Sequence, residues 1–117
     1  MTSANNASRT FMFVALILGL TVIAYQGLLS HDFIRYDDLE YVVNNQHVHR
    51  GVTPASLRWA LFSAEYANWH PLTWFSHMLD YQLYGLNPAG HHATSLFLHL
   101  GNSLLLFFLL HHLTRYA

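Results

Sequence analysis

The stretch Phe11-Met12-Phe13-Val14-Ala15-Leu16-Ile17-Leu18-Gly19-Leu20-Thr21-Val22-Ile23-Ala24-Tyr25-Gln26-Gly27-Leu28-Leu29 decides the fold. Its 19 residues carry no charge. As a helix it rises about 28 Å, close to the hydrocarbon thickness of a bilayer. Its polar exceptions, Thr21 and Gln26, are uncharged. A second stretch of this kind is His91–Leu113, which contains no Asp, Glu, Lys or Arg, although His91, His92, His99, His111 and His112 dilute its apolarity.

The composition agrees with two spans. The chain of 117 residues is 53% hydrophobic and 9% charged, whereas a soluble domain carries about 25% charged residues. It holds 5 arginines, no lysine, 6 acidic residues and 10 histidines, and its net charge of −1 gives no electrostatic case for nucleic acid. Without cysteine it has neither disulfides nor thiolate metal sites.

The first span reads as an uncleaved anchor rather than a signal peptide. One arginine, Arg9, precedes it, and the apolar run exceeds an ordinary signal core. The exit Tyr25–His31 offers no small-x-small cleavage site. Arg9 and Arg115 flank the spans, which places both termini in the cytoplasm. The loop between the spans carries Arg35, Arg50 and Arg58, but also every acidic residue. At about 60 residues it reaches the length where the charge rule stops counting.

That loop is expected to be partly helical. His31–Tyr41 reads as extended and acidic, followed by a polar turn at Asn44–His47. Thr53 and Pro54 read as the N-cap and first residue of a helix over 54–64, with Leu57, Ala60, Leu61 and Ala64 on one side. Pro71 starts a second helix, with an apolar stripe of Leu72, Phe75, Leu79 and Leu83, widened by Met78, and with Gly85 as its stop. Both helices carry aromatic residues, Trp59 and Phe62 in the first and Trp74, Tyr81 and Tyr84 in the second, and both are expected at the membrane interface.

In the second span, His92, Ser95, His99 and Asn102 share one face. Polar groups in a membrane face a bundle interior, so a larger assembly is expected. The ending Thr114–Ala117, just past a span, favours an N-terminal fragment of a longer chain.

Asp37, Asp38 and Glu40 follow the first span closely. Adjacent carboxylates repel each other, so they favour a proton or a divalent ion, and they can take a proton from a hydroxyl. On chemistry alone a solvated loop is the better account of Asp37 and Asp38, and Glu40 and Asp32 read as solvated or paired with Arg35. His77 and Asp80, at i and i+3, could hold a metal from one helix face, but no third ligand stands at a compelling spacing, which favours a hydrogen-bonding role. His92 and His99 could hold haem; their polar neighbours favour buried histidines bonded to other helices.

Asp37-Asp38, Asn68-Trp69-His70-Pro71-Leu72-Thr73-Trp74, Gly85-Leu86-Asn87-Pro88-Ala89-Gly90-His91-His92, and Leu98-His99-x-x-Asn102 form an ordered set. Together they resemble the start of the membrane part of bacterial tetratricopeptide-repeat membrane proteins of the GT-C glycosyltransferase superfamily. These are similar to the transmembrane and TPR-repeat-containing (TMTC) protein O-mannosyltransferases. The resemblance implies transfer of a mannose-like sugar from a polyprenyl-phosphate donor to a protein hydroxyl, outside the cytoplasm. It implies Asp37 as catalytic base with Asp38 in reserve, His70 and Arg35 as substrate-binding residues, and room for a divalent cation. Membrane lipids, a protein acceptor and further membrane helices with TPR repeats are the implied partners, and the segment is expected to be inactive alone.

The expected fold is thus an all-α membrane protein of the bacterial inner membrane, the start of a GT-C fold. Residues 1–10 form a cytoplasmic tail, 11–29 the first transmembrane helix, 30–90 the external loop, 91–113 the second transmembrane helix and 114–117 a cytoplasmic end. A non-catalytic anchor for a TPR scaffold and a histidine-rich subunit holding haem or a metal remain the alternatives.

Overall fold

The computed structural model describes residues 2–114. Among them every regular element is helical and no strand occurs, as the sequence leads one to expect of an all-α membrane chain. Five α-helices follow in order: α1 Thr2–Ala24, α2 Gln46–His49, α3 Pro54–Phe62, α4 Pro71–Tyr84 and α5 Pro88–Thr114. A π-helical turn, Leu39–Val43, precedes α2, and 3-10 turns lie at Leu28–Ser30 and Glu65–Ala67. Two segments, Asn6–Ser30 and Pro88–Thr114, are long and apolar enough to cross a membrane.

The described residues form two compact units, 2–28 with 95–114, and Leu29–Thr94. In the first, the Tyr25 and His99 rings meet edge to face at 5.3 Å. Its apolar side chains, among them Leu20, Ile23, Phe97 and Leu105, remain exposed, as the faces of membrane helices do where lipid or further helices cover them.

The second unit has a small core of Val48, Ala60, Trp74 and Met78, against which Tyr41, Val52, Trp59 and Tyr81 pack. Stacked rings build it: Tyr41 lies on Trp74 at 4.9 Å, His47 on Trp59 at 4.4 Å, and His49 on Tyr81 at 4.4 Å. Flat, polarisable rings bury a large area with few rotatable bonds, which suits a unit this short of buried aliphatics. Polar bonds fix the layers. The His49 Nε2 proton goes to the Val42 carbonyl at 2.9 Å, and the Val52 amide donates to Gln82 Oε1 at 3.1 Å.

Several local expectations are met. Thr53 caps α3 by accepting from the Ser56 amide at 3.2 Å, Pro54 and Pro71 occupy helix starts, and Gly85, with φ of 61°, ends α4. Others are corrected. Helix α1 begins at Thr2, ahead of the apolar run, because Thr2–Arg9 contains no Gly or Pro to stop it. The stretch around Asp37 is not extended; it coils into the π-helical turn. Helix α3 ends at Phe62, since Ser63 is extended at φ −77°, ψ 135°.

The face of α4 that packs against protein is not the leucine stripe, although Met78 at the edge of that stripe is buried. Leu72 and Leu83 are 82% and 63% exposed, whereas Trp74, Met78 and Asp80 are buried. Trp74, Met78 and Tyr81 form a second i, i+4, i+7 stripe, and their larger, flatter surfaces stack on Tyr41 and His49. The leucine stripe is left outward, a position that costs little at a lipid interface.

Candidate functional site

The acidic turn is anchored through Asp38. Its Oδ2 accepts the Ile34 amide proton at 2.8 Å, which holds the chain at Ile34–Asp38 in a tight loop. Asp38 is half-buried, whereas Asp37, Arg35, Asp32 and Glu40 are exposed. Arg35 pairs with neither Asp32 nor Glu40, so the solvated alternative holds for those two acids.

His70 sits before α4 with its ring stacked on Tyr41, 5.4 Å away, and tilted against Trp74, 4.8 Å away. It occupies the N-cap position of α4, but its side chain makes no capping hydrogen bond. Its Nε2 is buried without a hydrogen-bond partner among the described residues.

The sequence reading missed how α4 meets α5. Gly85 stops α4 and Pro88 begins α5, leaving Leu86 and Asn87 as the corner. Asn87 Oδ1 accepts the Ala89 amide at 3.2 Å and so starts the new helix. Gly90 permits the close return: a Cβ there would stand 2.3 Å from Tyr84 Cγ. The corner thereby brings His91 back against the last turns of α4, beside Asp80 and His77.

These three side chains form a cluster whose potential ligand atoms all lie within 4.8 Å of one another. Asp80 is 4% and His91 5% exposed. Asp80 Oδ1 accepts the Thr94 hydroxyl at 2.6 Å, and Oδ2 stands 3.9 Å from His91 Nδ1. His91 Nε2 is bonded to the Gly85 carbonyl at 2.9 Å. A carbonyl can only accept, so Nε2 carries the proton. His77 is half-buried, and its buried Nδ1 has no hydrogen-bond partner among the described residues. Burial pushes the His77 pKa below the ordinary histidine value; the Asp80 charge opposes this without prevailing, and His91 adds to the lowering. His77 is therefore neutral at neutral pH.

The same histidine also feels the charges of Asp38 and His70. Of the groups that act on it, Asp80 and His91 form the cluster with His77. Asp37 and Arg35, the other residues singled out from sequence, stay in solvent at the turn. The third member of the cluster was missed because it is eleven residues beyond Asp80, across a helix break. The Gly85 stop and Pro88 start were the signals that could have found it.

Among curated proteins, Protein O-mannosyl-transferase TMTC1 of Mus musculus is 34% identical over 96 residues, 73% of this chain and 10% of that protein. The chain is similar to part of an O-mannosyl-transferase. The protein of the same name from Homo sapiens is 30% identical over 96 residues, with the same shares. The chain spans about a tenth of the length of the curated relatives it matches. No family model and no solved structure matches it.

Proposed function

We propose that this chain supplies the acceptor-activating loop of a membrane glycosyltransferase of the GT-C type. The observation that carries the reading is the likeness to two O-mannosyl-transferases over 73% of the chain, in a molecule with two helices long enough to cross a membrane. The donor is a mannose-like sugar on a polyprenyl phosphate, and the acceptor is a protein serine or threonine. The acidic turn faces the non-cytoplasmic side of a bacterial inner membrane, with both termini cytoplasmic.

Asp37 is exposed and free to reach a substrate, while Asp38 holds the turn through Ile34. In the proposed reaction the Asp37 carboxylate takes the acceptor hydroxyl proton. The hydroxyl oxygen forms its bond to the anomeric carbon as the bond to the phosphate oxygen breaks, and the phosphate leaves with the electron pair. Arg35, exposed two residues away, and His70 offer cationic or donor groups for that phosphate. The transferase acts within a larger assembly, since the leucine face of α4 and the faces of both long helices lack partners within the described residues.

The test is transfer of a labelled hexose from polyprenyl phosphate to protein, in membranes holding the chain with its completing helices and repeats. Transfer that depends on the chain supports the reading; membranes with and without it performing alike would refute it.

A further inference from the structure

The transferase reading makes no use of His77, Asp80 and His91. We propose that these three side chains bind one divalent metal ion of the zinc type.

The ligand atoms of Asp80 and His91 are each oriented by a bond on the far side of the side chain. The Thr94 hydroxyl occupies Asp80 Oδ1, which leaves Oδ2 to face His91. The Gly85 carbonyl accepts the Nε2–H of His91, so in the neutral ring Nδ1 carries the lone pair. These two electron-rich atoms stand 3.9 Å apart, beyond the roughly 2.7–3.2 Å of a hydrogen bond. His91 Nδ1 and His77 Nδ1 are both buried with no hydrogen-bond partner. Buried polar atoms of this kind are costly unless something satisfies them. One cation placed among the three would satisfy both imidazoles and the carboxylate at once.

The outer bonds fit the same reading. A backbone carbonyl on the distal nitrogen of an imidazole, and a hydroxyl on the second oxygen of a carboxylate, are the contacts that orient metal ligands. The donor set selects the ion. Magnesium and calcium take oxygen ligands, whereas two imidazoles and one carboxylate suit zinc, with bonds of about 2.0–2.2 Å. Tetrahedral bonds of that length put ligand atoms roughly 3.4 Å apart, so side-chain rotations of about an ångström close the site. Three protein ligands leave a fourth position for water or an oxygen of a bound molecule. The ion would pin the second half of α4 to the first turn of α5. This proposal stands whether or not the chain serves a glycosyltransferase.

The experiment uses the full chain in detergent micelles, purified on an affinity tag without histidine and stripped with EDTA. Equilibrium dialysis against zinc chloride is expected to give one zinc per chain, undisturbed by magnesium or calcium. Cobalt(II) in its place is expected to give visible ligand-field bands. Asp80→Asn and His91→Gln should each lower zinc affinity by about 100-fold, and Thr94→Val by about 10-fold through the loosened carboxylate. The double variant His111→Gln/His112→Gln should still bind one zinc. Where Asp80→Asn fails to fold, Thr94→Val and His77→Gln decide the matter. The proposal is overturned by a wild-type chain that takes up no stoichiometric zinc, or by stoichiometric zinc that these two variants leave unchanged.

Discussion

His91 is held by the residue that ends the preceding helix: its Nε2 donates to the Gly85 carbonyl at 2.9 Å. One glycine thus stops α4, turns the chain and fixes the imidazole that faces Asp80. Its backbone, at φ 61° and ψ −132°, lies where a side chain is strained. Gly85→Ala is expected to cost about 1–3 kcal/mol. Chemical denaturation followed by circular dichroism measures this, and an unchanged midpoint would contradict the assigned corner.

The return of α5 makes a second demand. A Cβ at Gly90 would meet the Tyr84 ring, whereas one at Gly101 would meet nothing within 4 Å. Gly90→Ala is therefore expected to destabilise by about 1–3 kcal/mol through overpacking. Gly101→Ala should be neutral or stabilising by up to about 1 kcal/mol, as alanine favours helix over glycine. The contrast between the two, read from the same unfolding curves, tests the α4–α5 approach independently of any ligand.

A third contrast tests which face of α4 is inside. Trp74 is fully buried and Leu72 is 82% exposed. Trp74→Ala should cost about 3–5 kcal/mol, and Leu72→Ala less than about 0.5 kcal/mol in detergent. A larger loss for Leu72 would restore the leucine stripe as the buried one.

The inversion of that stripe shows what periodicity alone can and cannot say. Prolines and glycines punctuate the chain, so the bounds of α4 were legible in Pro71 and Gly85, and Thr53 announced the cap of α3. Apolarity found the two long helices, because nineteen uncharged residues have few other uses. The choice between two competing faces on α4 was not legible, since leucine exposed to lipid is not penalised as it is in water. The acidic stretch read as extended, whereas the bond from the Ile34 amide to Asp38 Oδ2 closes it into a turn that the residue types do not announce. The His77–Asp80–His91 cluster depends on a contact across a helix break, which spacing within one helix cannot reveal.

Orientation has a clean assay because the chain contains no cysteine. Asn44 and Asn6 are both exposed, so each accepts a single reporter cysteine. In intact cells Asn44→Cys should react with a membrane-impermeant maleimide, and Asn6→Cys should react only after permeabilisation. The reverse pattern would place the acidic turn in the cytoplasm and remove it from an externally presented lipid donor.

The measurement closest to the central claim compares hexose transfer by the complete assembly carrying wild-type, Asp37→Asn or Asp38→Asn sequence at equal membrane abundance. Loss of the general base should lower transfer by Asp37→Asn by about 100-fold or more. Asp38→Asn, which weakens the bond to Ile34, should fall less far. Transfer at the wild-type rate by Asp37→Asn would contradict the account.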